Sequence, residues 1–130
     1  MNDWSSDERT RVGAADELSI APYRADGTLR PSVPIWVVRV GEDLYVRSYR
    51  GRAGGWFRHA LRSGRGRIRA GGVERDVTFA APDTAVQGAI DRAYRAKYAR
   101  YDDTYVGPMV APDAVAATLR LIPVNTGTSN

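Results

Sequence analysis

The pair Gly71-Gly72 stands between "GRIRA" and "VERDVTFA", two runs whose apolar residues recur at even spacings. Two glycines supply the positive φ values of a tight two-residue turn, and alternation with period two turns one face of each flanking run toward a core. The expected product is a β-hairpin with Ile68, Ala70, Val73, Val77 and Phe79 as its inner set. A second hairpin precedes it. "SVPIWVVRV" is rich in β-branched and aromatic residues, turns at Gly41-Glu42-Asp43 and returns as "LYVRSY". On the return strand Leu44, Val46 and Ser48 share one face and Tyr45, Arg47 and Tyr49 the other, and one of these faces is expected to be wet or ligand-lined.

The remaining segments fit around these hairpins. "ELSIAPYRADG" reads as a short strand ending in a turn at Asp26-Gly27, and "VAATLRLIP" as a closing strand. "GWFRHALRSG" predicts a short helix that buries Trp56, Phe57, Ala60 and Leu61, presents Arg58 and Arg62 one turn apart, and stops at Ser63-Gly64. Thr84 and Gln87 have capping-box spacing, and Val86, Ala89, Ile90, Ala93, Tyr94 and Tyr98 recur on one stripe of a longer helix. "ARYDDTYVGPMVAPDA" reads as a loop broken at Gly107-Pro108. The order is strand, hairpin, short helix, hairpin, helix, strand. That order predicts a mainly β fold, a six-stranded β-barrel with helices added to it. Residues 1–15 are expected to be a flexible arm, 16–124 a single domain and 125–130 a flexible tail.

Composition excludes several classes of chemistry. The 130-residue chain has no cysteine and one histidine, so disulfides, thiolate catalysis and the usual Cys/His zinc sets are not expected. No apolar run approaches the roughly 20 residues of a membrane span, and the N-terminus lacks a signal-peptide core. A cytoplasmic location is the expectation, with no membrane partner.

Charge is unevenly placed. Residues 45–72 hold Arg47, Arg50, Arg52, Arg58, Arg62, Arg65, Arg67 and Arg69 with no carboxylate, in a chain whose formal net charge is only +4. An anionic partner is the natural complement. "RGRAGG" running into a helix start offers free backbone amides and the positive end of the helix dipole, and Arg50, Arg52 and Arg58 add charge-assisted bonds suited to phosphate. A solvated basic face is the plainer alternative. Neither a P-loop nor a dinucleotide fingerprint occurs. Nucleic acid is not the expected partner, because a strand-turn-strand setting and only two phenylalanines offer no base-stacking platform.

"GTLRPSVPIWVVRVGEDLYVRSYRG" followed by "GWFRHALRSGRGRIRAGGVERDVTF" resembles the flavin-binding split β-barrels related to pyridoxamine-phosphate oxidase and to the actinobacterial deazaflavin-dependent nitroreductases. Within that superfamily the chain is most similar to the domain of unknown function 2255 proteins, with a late "AYRAKY" helix and a final "ATLRLIP" strand. The resemblance spans roughly residues 17 to 123. It implies a six-stranded split barrel in which the segment from Arg30 through Pro34 to Trp36 lines an isoalloxazine ring. It also implies that Arg47, Ser48, Arg50 and Gly51 at the strand end hold the cofactor phosphate, and that Trp56 follows as the start of a helix. Two chains would form a homodimer with a cofactor at each interface. Where the deazaflavin enzymes carry Lys-Gly in the phosphate turn, this chain has Arg50-Gly51, and their proline-containing connector is replaced by Arg52-Ala53-Gly54-Gly55.

With FMN or a deazaflavin coenzyme bound, the ring itself carries hydride chemistry. Arg47, Arg50 and Arg58 would hold phosphate, Ser48 would donate to it, and Pro34, Trp36 and Trp56 would give apolar or stacking surface. Tyr49 and His59 are the candidates for donating a proton to the reduced small organic substrate. Tyr94 and Tyr98 are expected in the core, and Tyr101 and Tyr105 over a substrate pocket. The alternative is a cofactor-free barrel, either a biosynthetic cyclase or isomerase or a binder of small anionic metabolites.

Overall fold

The structure, a computed structural model, describes residues 3–101 and 103–124, with the side chain of Asp103 left aside. The expected tail 125–130 lies outside the described residues. Among the described residues seven antiparallel strands form one sheet: β1 (Leu18–Pro22), β2 (Val33–Ile35), β3 (Val37–Val40), β4 (Asp43–Arg47), β5 (Arg65–Ala70), β6 (Val73–Ala80) and β7 (Thr118–Pro123). Their order is β2-β1-β5-β6-β7-β4-β3. The two strands at opposite ends of that order, β2 and β3, are consecutive in sequence and separated only by Trp36. One short stretch of chain therefore bridges both edges, and the sheet is a nearly closed split barrel.

That bridge explains the strand count. "SVPIWVVRV" reads as one strand because its apolar run is unbroken, yet Val33, Pro34 and Ile35 pair with Ile20, Ser19 and Leu18 of β1, whereas Val37 begins a separate ladder with Val46 of β4. Seven strands replace the expected six. Pro34 lacks an N–H and sits on a strand that is paired on one side only, where no ladder donor is required of it. The β5–β6 hairpin has Gly71 and Gly72 at φ 58° and 83°, the left-handed pair that its turn needs.

Among the described residues five helices accompany the barrel: α1 (Ser6–Ala14), α2 (Gly55–Ser63), α3 (Gln87–Lys97), α4 (Asp103–Val110) and α5 (Pro112–Ala116). The first corrects the expectation of a loose arm. Ser5 and Glu8 form a capping box, Trp4 is buried with its indole Nε1 donating to the Leu121 carbonyl at 3.1 Å, and Val12 is fully covered. Glu8 also meets Arg75 of β6 at 2.8 Å. The segment read as a loop after Tyr98 is largely α4 and α5. Pro108 lies inside α4, a position that normally argues against a helix.

Helix α2 ends as expected, with Gly64 at φ 73° as a left-handed cap, but Leu61 is exposed rather than inward. Before α3, Asp83 rather than Thr84 caps a single 3₁₀ turn by accepting from the Ala85 amide. Gln87 is thereby free for another task.

Two cores result. Leu18, Ile20, Val37, Leu44, Val46, Phe57, Ile68, Val77 and Leu121 fill the barrel interior. Val38 and Tyr45, on the outer face of the β3–β4 hairpin, pack under Ile90, Tyr94 and Tyr98 of the α3 segment and Val106 and Met109 of α4. Both faces of β4 are therefore largely buried, and of the two expected faces the one carrying Arg47 and Tyr49 reaches a cavity at the strand's end. No helix among the described residues is long and apolar enough to cross a membrane.

Candidate functional site

Trp36, the residue that breaks the long strand, also anchors the main cavity. Its indole lies face to face on the Tyr98 ring at 3.9 Å between centroids and 3° between planes, with Tyr101 tilted against it at 5.3 Å. Tyr98 is held in turn: its hydroxyl donates to the Asp16 carbonyl at 2.8 Å and accepts from the Val37 amide at 3.2 Å. Burial pushes the Tyr98 phenol well above its ordinary range. Beside it the Lys97 ammonium donates to the Val37 carbonyl at 2.6 Å, and burial holds that amine down at about 8, against the opposing pull of Asp16. The indole is thus backed by a fixed, neutral aromatic layer.

In front of Trp36 lies a cavity of about 440 Å3, within the size range of small-molecule sites. Val33, Pro34 and Ile35 of β2 form one wall, Trp56 at the start of α2 a second, and Thr104, Tyr105, Pro108 and Met109 of α4 a third. Arg47, Tyr49 and Glu17 add the polar margin. The α4 residues recur at one- and four-residue steps, so a single helix face supplies all of them. Gly107-Pro108 hides that periodicity in the sequence, and of the α4 wall only Tyr105 stood out there.

Arg47 reaches this cavity from a fully buried position at the end of β4. Its Nε donates to Thr118 Oγ1 at 2.9 Å, Nη1 to Asp91 Oδ1 at 2.6 Å and to the Met109 carbonyl at 2.9 Å, and Nη2 to Gln87 Oε1 at 2.7 Å. A guanidinium has five N–H donors, so one is left. The same cation sits 5.4 Å above the Tyr94 ring. The carboxylate and the ring answer its charge within the fold, and a bound phosphate would find only the fifth N–H.

The phosphate turn also differs from expectation. Arg50 is exposed, with its guanidinium 5.8 Å from the Tyr49 ring. Gly51, at φ 69°, packs against Asp113 of α5, where a Cβ would lie 3.1 Å from the Asp113 Cβ. Ser48 is buried beneath Gly54, and a Cβ at Gly54 would collide with its hydroxyl oxygen. Gly54 caps α2 with no side-chain hydrogen bond. Arg58 and His59 lie further along α2 and do not line the cavity, and neither does Arg30. His59 is held below its ordinary value, first by burial and then by Arg30, Arg58, Arg62 and Arg24. The structure therefore gathers Pro34, Trp36, Arg47, Tyr49 and Trp56 around one space. It places Arg30, Ser48, Arg50, Gly51, Arg58 and His59 elsewhere.

Similarity to known proteins agrees with this architecture. An F420 reductase is superimposable with a TM-score of 0.55 at 14% identity, covering 92% of this chain and 93% of that one. A FAD-binding protein from Mesorhizobium loti gives 0.56 at 16% identity over 95% and 91% of the two chains. A FAD and heme binding protein from Mycobacterium smegmatis gives 0.53 at 18% identity over 100% and 71%. At such identities the likeness establishes the split-barrel fold. No curated protein matches the sequence. Residues 8–121 match DUF2255, described as uncharacterized protein conserved in bacteria, and with most of its length covered the chain belongs to that family.

Proposed function

We propose that the cavity in front of Trp36 binds the ring of FMN or a deazaflavin coenzyme, and that the protein is a cytoplasmic oxidoreductase transferring hydride to a small organic substrate. The carrying observation is the indole itself: one face is fixed on Tyr98, and the residue lines a largely apolar space. Such a surface suits a flat conjugated ring, because its orientation is already set before binding. The neighbours that bind FAD or are named for F420 share this fold and support the choice of ligand class.

The ring fits the residues present better than the phosphate does. Trp36, Pro34 and Trp56 would position it and exclude water, while Arg47 has one N–H to offer and the exposed Arg50 side chain would have to swing in. When bound, a flavin or deazaflavin supplies the hydride. The chain's own part is to orient the substrate and hold a proton at its oxygen, for which the Tyr49 hydroxyl on the cavity lining is the candidate. His59 is not among the cavity's lining residues and is not assigned that role. For the same reason a haem in the cavity would gain no histidine from this chain.

Val33, Tyr49 and Tyr105 are large exposed side chains at the cavity. Apolar surface grouped in this way fits a partner, and a second copy closing the cavity is the homodimer we propose. Spectra of the purified protein with FMN and with the deazaflavin coenzyme test the reading. Quenched flavin fluorescence that is lost in Trp36→Ala supports it, and no spectral change with either ring rejects it.

One observation favours a second reading. Because Arg47 is answered internally, the cavity suits a ligand without phosphate, as in a cofactor-free cyclase, isomerase or metabolite binder. That reading predicts a colourless protein whose cavity takes small apolar rings and ignores flavins.

A further inference from the structure

Trp36 stands between two charges of opposite sign. Continuing the Leu18–Ile35 register by one step sets Glu17 opposite Trp36, and continuing the Val37–Val46 register sets Arg47 opposite it on the other side. Both Glu17 and Arg47 line the cavity, but their charges are not equally free. Arg47 is answered within the fold by the Asp91 carboxylate at 2.6 Å and by acceptors on Thr118, Met109 and Gln87. No described residue pairs with the exposed Glu17 carboxylate. The unanswered charge on the cavity lining is therefore negative.

The rings give an independent sign. Elsewhere in the fold cations settle on aromatic faces: Arg75 lies 5.7 Å from the Trp4 ring, Arg65 4.6 Å from Tyr23, Arg47 5.4 Å from Tyr94 and Arg100 4.8 Å from Tyr101. Tyr49, at the cavity margin, takes Arg50 at 5.8 Å, and Phe57 and Tyr98 take Arg52 and Lys97. Among the described residues five rings carry no cation. Of these, Tyr45 is buried in the outer core and Phe79 packs against the barrel interior. The other three, Trp36, Trp56 and Tyr105, all line the Trp36 cavity.

We propose that this cavity binds an organic ammonium cation, its charged head drawn by Glu17 and enclosed by the rings of Trp36, Trp56 and Tyr105. The electron-rich face of an aromatic ring attracts positive charge, indole most strongly, and a cation held by several such faces needs no hydrogen bond of its own. A carboxylate at the edge of an apolar space adds an attraction that bulk water weakens less than at an open surface. Arg50, the exposed cation nearest this margin, does not line the cavity, so its charge does not reverse the preference. The proposal names the substrate class of the site assigned above and rests on that cavity being the ligand site. With a ring bound against Trp36, Glu17, Trp56 and Tyr105 remain for the ammonium group of the substrate.

The experiment compares three probes that share one branched head and differ in charge: choline, its uncharged carbon isostere neohexyl alcohol, and the anion tert-butylacetate. Each is titrated at equal ionic strength with the full chain, without flavin, and read by saturation-transfer NMR on the probe's methyl singlet. Choline should bind about tenfold more tightly than the alcohol or better, and tert-butylacetate more weakly than either. Glu17→Gln should lower choline affinity about fivefold or more and leave the alcohol unchanged, and Tyr105→Leu should lower choline affinity about threefold. Both side chains are exposed, so neither change empties the core. Absence of choline binding, equal affinities for choline and the alcohol, tighter binding of the anion than of the alcohol, or a choline preference that survives Glu17→Gln would overturn the proposal. Titration with FMN separates the two readings. Choline binding by a protein that leaves the FMN spectrum unaltered upholds the cation site and rejects the ring, and FMN quenching without choline binding does the reverse.

Discussion

The Arg47 guanidinium and the Asp91 carboxylate meet at 2.6 Å, joining the end of β4 to the middle of α3. The Arg47 side chain is fully enclosed while Asp91 retains 36% exposure, so the cation carries the larger desolvation cost. Through Gln87, the Met109 carbonyl and Thr118, the same side chain also fastens α4 and β7. It is one of the points, beside the Val38–Tyr45 core, at which the helical layer and the barrel are joined.

Removing one member of that set should therefore be severe. Arg47→Ala is expected to lose on the order of 3–5 kcal/mol of stability, and Asp91→Asn less, because Asp91 is partly hydrated and an amide still accepts from Nη1. Arg47→Lys should not rescue, since one ammonium cannot reach acceptors arranged around a planar fork. Denaturant midpoints of the three variants check the ranking.

Lys97 gives a pH signature. Its folded value of about 8 lies below the ordinary 10.5, so between those values the unfolded chain binds the proton that the folded chain has lost, and stability rises with pH. Below pH 8 both states are protonated and the cost of burying the charge is fully present. Tyr94 and Tyr98 act oppositely at higher pH, because burial raises their phenols in the folded state. Urea unfolding at pH 7.5 and 9.5 should show a gain for the native protein that Lys97→Met lacks. As the only lysine, it also gives a separate ε-methylene NMR titration.

The N-terminal helix is integral to the barrel. Trp4→Ala removes a nearly fully buried indole and its bond to the Leu121 carbonyl, and is expected to cost about 3–5 kcal/mol. Ser5→Ala, which removes half of the capping box, should cost about 1 kcal/mol. Thermal melts of both variants against the native chain test this. An arm that only trailed from the domain would leave both melting temperatures unchanged.

Legibility in the sequence followed the physical source of each element. The Gly71-Gly72 hairpin was readable because two adjacent glycines between runs with apolar residues at even spacings have one simple outcome. The break at Trp36 was not, because barrel closure, rather than local preference, divides a continuous apolar run. Helix α1 has no apolar period, and it is held by a cap and by a contact between residues 117 apart in sequence. Helix α4 was hidden by Gly107-Pro108. At the site, the aromatic and proline positions Pro34, Trp36 and Trp56 were legible through the resemblance, and they converge. The arginines were legible as charge only. Their destinations, one buried in Arg47's network and others, such as Arg50, Arg58 and Arg62, exposed at the surface, depend on which strands and helices the fold brings together.

The most direct test is titration of the protein with FMN and with the deazaflavin coenzyme, read by flavin fluorescence and ring absorbance, beside Trp36→Ala. Saturable quenching and a shifted ring band in the native protein, weakened at least tenfold in the variant, are the predicted results, a tenfold change being about 1.4 kcal/mol. A native protein that leaves both spectra unaltered, or a variant that binds either ring as tightly as the native chain, would contradict the assignment of this cavity.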